Sequence, residues 1–256
     1  MQLRSAVALV TGASAGIGAG VAAQLAAHGA EVLVHGRDAE RTEAVATRIG
    51  GRALVADLAT SGGVDALAAD ALAGSAAIDV LVLNAGAGYA GPFSRMPADR
   101  IDSLVALDLT GAIRLTHALL PGMLTRGRGH LCFVSSIAGR TGVAGEAVYA
   151  AAKAGLDAFA DSLRLEVAGS GVGVSVVVPA VVDTGFFVSR GRPYDRRSPR
   201  PVPPEQVAAA VVDAVERDRA EVFVPSWTRV PPVVRALAPA AFRRLSLRFG
   251  EDVRSR

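Results

Sequence analysis

Over its first 180 residues the chain switches repeatedly between short Val- and Leu-rich runs and longer Ala-rich stretches. The runs at 6–10, 31–35, 52–56, 80–83, 130–134 and 174–178 predict strands. The stretches at 17–28, 39–49, 62–72, 101–126 and 147–168 carry apolar residues at helical spacing and predict helices. Strand and helix in strict alternation leave few architectures open. They require right-handed crossovers and a parallel sheet covered by helices on both faces, an α/β fold. Ligands of such sheets sit at the carboxyl ends of the strands.

The region that follows is different. Residues 185–204 are rich in Arg, Pro and Ser, have no period, and are framed by Phe186-Phe187 and Pro203-Pro204. An irregular segment of this length in a compact domain reads as a functional lid or a linker, and a substrate lid is the expectation here. A helix over 205–217 and a last strand over 221–224 come next, then a C-terminal extension, 226–256, with Pro breaks and Arg among apolar residues. Nothing marks a second domain or a repeat, so residues 1–256 read as one domain, a size compatible with a single large core.

Composition narrows the class. With 51% hydrophobic residues the chain can bury an ample core. No uninterrupted apolar run reaches the roughly 18–20 residues of a membrane span, and the amino terminus enters a strand without a signal-peptide pattern. A cytoplasmic location is the expectation, and the single Cys132 agrees with a reducing compartment. A net charge of +3 gives no reason to expect nucleic acid as a partner. Lys153 is the only lysine in an Arg-rich chain. A lysine retained against that drift suggests a task arginine cannot do, such as presenting a compact ammonium.

Two clusters carry chemistry. The run Val7-Ala8-Leu9-Val10-Thr11-Gly12-Ala13-Ser14-Ala15-Gly16-Ile17-Gly18 passes from a strand through a glycine turn into a helix. Glycines there allow a tight turn and close approach of backbone to a pyrophosphate, which the helix N-terminus attracts. At the end of the second strand, Val34-His35-Gly36-Arg37-Asp38 has Gly36 where an NAD enzyme would place an acid. Arg37 could bind a 2′-phosphate through charge-assisted hydrogen bonds, which favours NADP(H) over NAD(H). Two alternatives stay open: Arg37 could merely solvate a helix start, and Asp38 could be a ribose ligand. Asp57 and Asn84, at the next two strand ends, could meet adenine and hold the sheet edge; each could also be a turn or capping residue. In the second cluster, Tyr149 and Lys153 share one helix face at i,i+4. An ammonium beside a phenol favours the phenolate and tunes an acid/base. Ser136, at the end of the fifth strand, could orient a substrate oxygen, converging with the pair on the same sheet edge.

Thr11-Gly12-x-x-x-Gly16-Ile17-Gly18, Asn84-Ala85-Gly86, Ser136 and Tyr149-x-x-x-Lys153, in this order and spacing, resemble the short-chain dehydrogenase/reductase family over about residues 5–225. The resemblance implies a Rossmann-type, doubly wound parallel sheet of about seven strands and a nicotinamide cofactor. It implies that Tyr149 is the proton donor in reduction and the base in oxidation, and that Ser136 (Ser135 is the rival) holds the carbonyl oxygen. Lys153 would bind the nicotinamide ribose and support Tyr149. Gly12, Ser14, Ala15, Gly16, Ile17, Gly18, Arg37, Asp57, Leu58, Asn84, Ala85, Gly86, Tyr149, Lys153, Pro179, Val182 and Thr184 would line the cofactor. The chain departs from the family pattern twice. Asp108 stands where an asparagine often completes a catalytic tetrad, and Pro179-Ala180 replaces the usual Pro-Gly.

The activity this implies is interconversion of a ketone or aldehyde and an alcohol, with 3-oxoacyl-carrier-protein reduction as an alternative and a non-catalytic NADP(H) sensor as a rival. The retained tyrosine and lysine argue against the sensor. Small or apolar residues at 87–89, 137–141, 143–145 and 186–188 suit an uncharged carbonyl. Arg190, Arg192, Arg196, Arg197 and Arg200 in the lid could recognise an acidic group, or simply be solvated. The tail, 233–249, pairs Arg235, Arg243, Arg244 and Arg248 with Leu237, Leu245, Leu247 and Phe249. Such a segment can lie at a membrane headgroup interface, but packing onto its own domain or a neighbouring subunit is the favoured reading. The resemblance implies a homodimer or homotetramer built through the two long helices. His28, His35, His117 and His130 show no metal-ligand spacing and receive no catalytic role.

Overall fold

The structure is a computed structural model that describes residues 1–73, 77–195 and 199–249. Arg196, Arg197, the end of the tail after 249 and the side chains of Arg248 and Phe249 lie outside the described residues. Seven parallel strands form one sheet: β1 (Val7–Val10), β2 (Glu31–Gly36), β3 (Arg52–Val55), β4 (Val80–Leu83), β5 (Gly129–Val134), β6 (Val172–Pro179) and β7 (Glu221–Val224). Their order is β3-β2-β1-β4-β5-β6-β7. The sheet therefore winds outward in both directions from β1, which pairs with β2 on one side and β4 on the other. This is the doubly wound Rossmann-type arrangement, and the reversal at β1 and β4 opens a crevice at the strand ends.

The strand sequences explain why both faces are covered. Leu9, Leu33, Leu81, Leu131 and Phe133 point to one face, where they pack with residues of α3 (Ser61–Ala73), α5 (Gly111–Arg126) and α7 (Ala147–Glu166). Their neighbours Ala8, Val10, Val32, Val34, Val80, Val82 and Cys132 point to the other. There they meet α1 (Gly16–Ala27), α2 (Ala39–Ile49) and α9 (Pro204–Arg217). Apolar residues at every strand position are what a parallel sheet buried on both sides requires. Each such Leu, cut to Ala, would cost about 2–5 kcal/mol through lost burial and the cavity left behind.

Several expected boundaries move. The stretch foreseen as one helix over 101–126 starts earlier, as α4 (Ala98–Val105), and passes through a π-turn at Ala106–Thr110 before α5. A π-turn inserts one extra residue and turns the side chains on it, here Asp108, off the regular helical row. The rod Ala98–Arg126 is long and apolar enough to cross a bilayer by length and composition, but Leu104, Ala112, Leu115, Leu119 and Met123 on it are buried in the domain. The region foreseen as irregular over 185–204 holds a short helix, α8 (Phe186–Ser189), is tied down by a bridge between Val182 and Val202, and gives Pro204 to α9. Past α6 (Ile137–Thr141), α7 and β7, the tail forms two helices, α10 (Val230–Leu237) and α11 (Pro239–Phe249), because Pro239 breaks the segment. Arg235 of α10 donates to the Arg140 carbonyl of the body, 2.6 Å. Leu237 and Leu247 stay more than four-fifths exposed, so the favoured packing of the tail onto its own domain does not cover them.

Candidate active site

The turn after β1 is built by backbone geometry. Gly12 adopts φ +64°, and a side chain there would stand 2.8 Å from the Ala85 backbone. A Cβ on Gly18 would overlap the Gly12 carbonyl and the Asn84 amide. Only glycine lets β1, α1 and the end of β4 meet this closely. Asn84 fastens the junction: its Nδ2 donates to the Thr11 and Gly12 carbonyls (3.0 and 3.2 Å). Thr11 Oγ1 accepts from Asn84 N and Ala85 N (3.0 and 3.1 Å) while donating to Val82 O. His35 closes the loop from the other side. Burial lowers its pKa from 6.5 to about 4, so it is neutral near pH 7. Its Nδ1 accepts from Gly12 N (3.4 Å), which leaves Nε2 to donate to Ala56 O (3.2 Å).

A cavity of about 750 Å³ runs from this turn across the strand ends. At one end lie Gly36, Arg37, Asp38, Arg41 and Asp57; along it lie Gly12, Ser14, Ala15, Gly16 and Ile17 with Asn84, Ala85 and Gly86. At the other end are Asp108, Ser136, Tyr149, Lys153, Pro179, Val182 and Thr184. Leu58 also reaches the wall, whereas Gly18 lies behind it, in the packing just described. The N-terminus of α1 opens here with no side-chain cap and no acidic residue in its first turn. Its free N–H groups thus fit a pyrophosphate. A side chain on Gly36 would overlap Thr42 Oγ1 and crowd Ser14, so an acid has no room at that position. Asp38 is engaged elsewhere: it caps α2 by accepting from Arg41 N (3.0 Å) and pairs with Arg41 Nε (2.9 Å). Asp57 accepts from Ala59 N (3.0 Å), a turn-capping contact made at the cavity edge.

At the chemical end the functional side chains are buried. Ser136 follows β5 and caps α6 by accepting from Ala138 N (3.2 Å). Its hydroxyl also faces Tyr149. Ser135, the rival serine, is directed away, toward Asp157. Lys153 is buried, donates to Val134 O (3.2 Å) and lies 5.8 Å from the Tyr149 ring centre. Asp108 Oδ1 lies 3.3 Å from Lys153 Nζ, while Oδ2 accepts from Ala87 N (3.1 Å). Burial raises the Asp108 pKa against the pull of Lys153. Burial, reinforced by the Asp108 charge, also pushes Tyr149 well above the ordinary phenol value. Above the site, the Phe186 ring of α8 packs on Tyr149 at a tilt, 5.4 Å between centres, and Arg190 forms a buried ion pair with Glu146.

Sequence reasoning missed His35, Arg41, Glu146 and Asp157, and left Arg190 in the lid without its partner. His35 was given no role, although its place beside Gly36 at a strand end was a signal. Arg41 lies one helical turn after Arg37. Glu146 and Arg190 are 44 residues apart and met only through the tertiary fold. Asp157, two helical turns past Tyr149 on α7, pairs with Arg140 (2.7 Å), and burial raises it from 3.8 to about 6.

A dinucleotide-sized crevice at the switch point, ending on a phenol, an ammonium and a hydroxyl, marks a Rossmann-type oxidoreductase. The profile of the short chain dehydrogenases matches residues 6–194, and the chain belongs to that family. Among its relatives, the Nostoc sp. protein "Ketoacyl reductase HetN" is 35% identical, with 94% of this chain and 88% of that one covered. The Mus musculus "Dehydrogenase/reductase SDR family member 7B" is 32% identical, with 95% and 80% covered. A solved "Short-chain dehydrogenase from Sphingobium yanoikuyae in complex with NADPH" superposes with a TM-score of 0.81 at 28% identity, covering 92% of this chain and 95% of that one.

Proposed function

We propose that the protein is an NADP(H)-dependent reductase of ketones or aldehydes, with Tyr149 as the acid. The observation that carries this reading is one continuous cavity, with Gly36, Arg37 and Arg41 at one end and Ser136, Tyr149 and Lys153 at the other. The arginines and the absence of space for an acid at Gly36 suit a 2′-phosphate. The NADPH of the Sphingobium relative supports the same choice.

When bound, the reduced nicotinamide supplies a hydride to the carbonyl carbon. Tyr149 would give its phenolic proton to the carbonyl oxygen, which completes the alcohol. Ser136 donates a hydrogen bond to that oxygen, and Lys153, held by Val134 O, faces the phenol and the ribose. Phe186 and the Arg190–Glu146 pair exclude water. The ketoacyl reductase among its relatives favours one substrate class, ketoacyl compounds. The exposed faces of α5 and α7 fit the proposed homodimer or homotetramer.

Fluorescence titration with NADPH and NADH separately, on wild type and Arg37→Ala, tests the cofactor reading. Tighter NADPH binding that weakens in the variant is the expected result; tighter NADH binding indifferent to Arg37 overturns it. NADPH oxidation with free and carrier-linked keto esters, lost in Tyr149→Phe at unchanged NADPH affinity, tests the chemistry. No turnover with any carbonyl would refute the enzyme in favour of the sensor.

A further inference from the structure

Asp108 has an environment that packing does not explain. It is 1% exposed, sits on the π-turn between α4 and α5, and is aimed at the only lysine in the chain. One oxygen takes the Ala87 N–H. The other meets Lys153 Nζ at 3.3 Å as a charge contact, not an aligned hydrogen bond. A Cβ on Gly86 would stand 2.5 Å from that oxygen and 3.3 Å from Nζ, so Gly86 is what lets carboxylate and ammonium meet behind Tyr149.

Two of the other charges around Tyr149 have partners of their own. Asp157 on α7 pairs with Arg140 of α6. Glu146, just before α7, pairs with Arg190 of the lid. Arg100 of α4 stands on the cavity wall, and Ser135 and Ser136 at the end of β5 are neutral. The ammonium of Lys153 and the carboxylate of Asp108 therefore form the main charge pair that faces the phenol, and Asp157 adds a smaller push in the same sense as Asp108. Alone, an ammonium at this range would favour the phenolate; a carboxylate beside it cancels much of that field.

Resting on the reductase reading above, we propose that Asp108 is a positioning residue which, by pairing with Lys153, keeps Tyr149 a protonated acid and sets the centre for carbonyl reduction across neutral pH. Reduction needs the phenol and oxidation needs the phenolate. The pair thus extends the pH range of the first and moves the acid limb of the second to higher pH. The Asp108 charge is itself one of the causes that raise Tyr149.

The variant Asp108→Asn keeps an acceptor for Ala87 N–H and removes the charge. The first readout needs no cofactor: the ultraviolet tyrosinate band is titrated with alkali, taking the difference from Tyr149→Phe to isolate this phenol, with circular dichroism marking unfolding. In Asp108→Asn the Tyr149 band should emerge at least about one pH unit below wild type. The second readout is kcat/KM against pH in both directions. The acid limb of alcohol oxidation with NADP⁺ should move down by a similar amount, and the alkaline limb of reduction with it. Asp108→Ser, also neutral and smaller, serves if the asparagine variant does not fold. Coincident titrations in wild type and variant, or no Tyr149 band in either before unfolding, overturn the proposal. A Lys153–Asp108 contact that only braces the Ala87 loop would leave both profiles where they are. Failure of NADPH to bind would sink the functional reading and leave the tyrosinate titration standing by itself.

Discussion

Acidification from pH 7 to pH 5 should destabilise this protein through two buried imidazoles, and the loss can be assigned residue by residue. His35 and His130 are each held by burial near a pKa of about 4, against 6.5 when exposed. The unfolded chain therefore takes up protons that the folded chain refuses. The stability at stake is fully present above pH 6.5, starts to fall as pH drops through that value, and is gone near pH 4. Over the whole interval each imidazole is worth about 3 kcal/mol, and between pH 7 and 5 roughly 2 kcal/mol of it is lost. Asp157 works in the opposite sense. Its folded pKa is raised from 3.8 to about 6, so acidification through that window returns about 1 kcal/mol. From these three groups the expectation is a loss of about 3 kcal/mol, opposed by Asp108, which burial also raises, and read as the difference in urea-unfolding free energy between the two pH values. His35→Gln, and separately His130→Gln, should each shrink that difference by roughly 2 kcal/mol whatever they do to stability at pH 7. In the folded protein His35 stays neutral until the pH nears 4, so the loss of its bond from Gly12 N should weaken NADPH affinity only there, below the window of the unfolding measurement. If both variants show the pH dependence of wild type, the histidines are not held neutral and the reasoning fails.

Other perturbations probe single contacts. Asn84→Ala strips the donor from two carbonyls at the β1 turn and should cost about 2–4 kcal/mol in unfolding free energy, with weaker NADPH binding by titration. Gly18→Ala forces a methyl onto Gly12 O and should cost about 1–3 kcal/mol by thermal melting, with the cofactor affinity lost first. Glu146→Gln removes the carboxylate facing buried Arg190, and hydrogen exchange at residues 186–190 should speed up while the β-sheet amides do not change. Arg37→Ala, with Arg37 exposed, should lower NADPH affinity about 10-fold and leave NADH within about 2-fold, as measured by fluorescence.

The doubly wound sheet was legible in the chain because its causes are local. Leu and Val runs of strand length, Ala-rich stretches of helix length and the glycine turn each follow from short-range sterics and periodicity. The tyrosine and lysine on one helix face needed only a spacing of four. Boundaries slipped where tertiary contact decides them. The π-turn at Ala106–Thr110 has no periodic signature, and it is what carries Asp108 to Lys153. Residues 185–204 looked structureless because α8 is only one turn long and the Val182–Val202 bridge joins residues 20 apart.

For the site, the sequence alone determined which chemical groups exist: one lysine, a phenol four residues before it, a serine at a strand end and a strand-end arginine in place of an acid. Tertiary structure decided what each of them faces. Asp38, the other ribose candidate, caps the start of α2 while still lining the cavity. Ser135 and Ser136 differ by one residue, and the pleat sends one toward Asp157 and the other to Tyr149. Asp108 was a departure from a pattern until burial and a 3.3 Å approach made it the counter-charge of Lys153. Periodicity and spacing act over a few residues and can be read along the chain. Desolvation and charge pairing depend on distance in space, so they exist only once the sheet and its helices have closed around them.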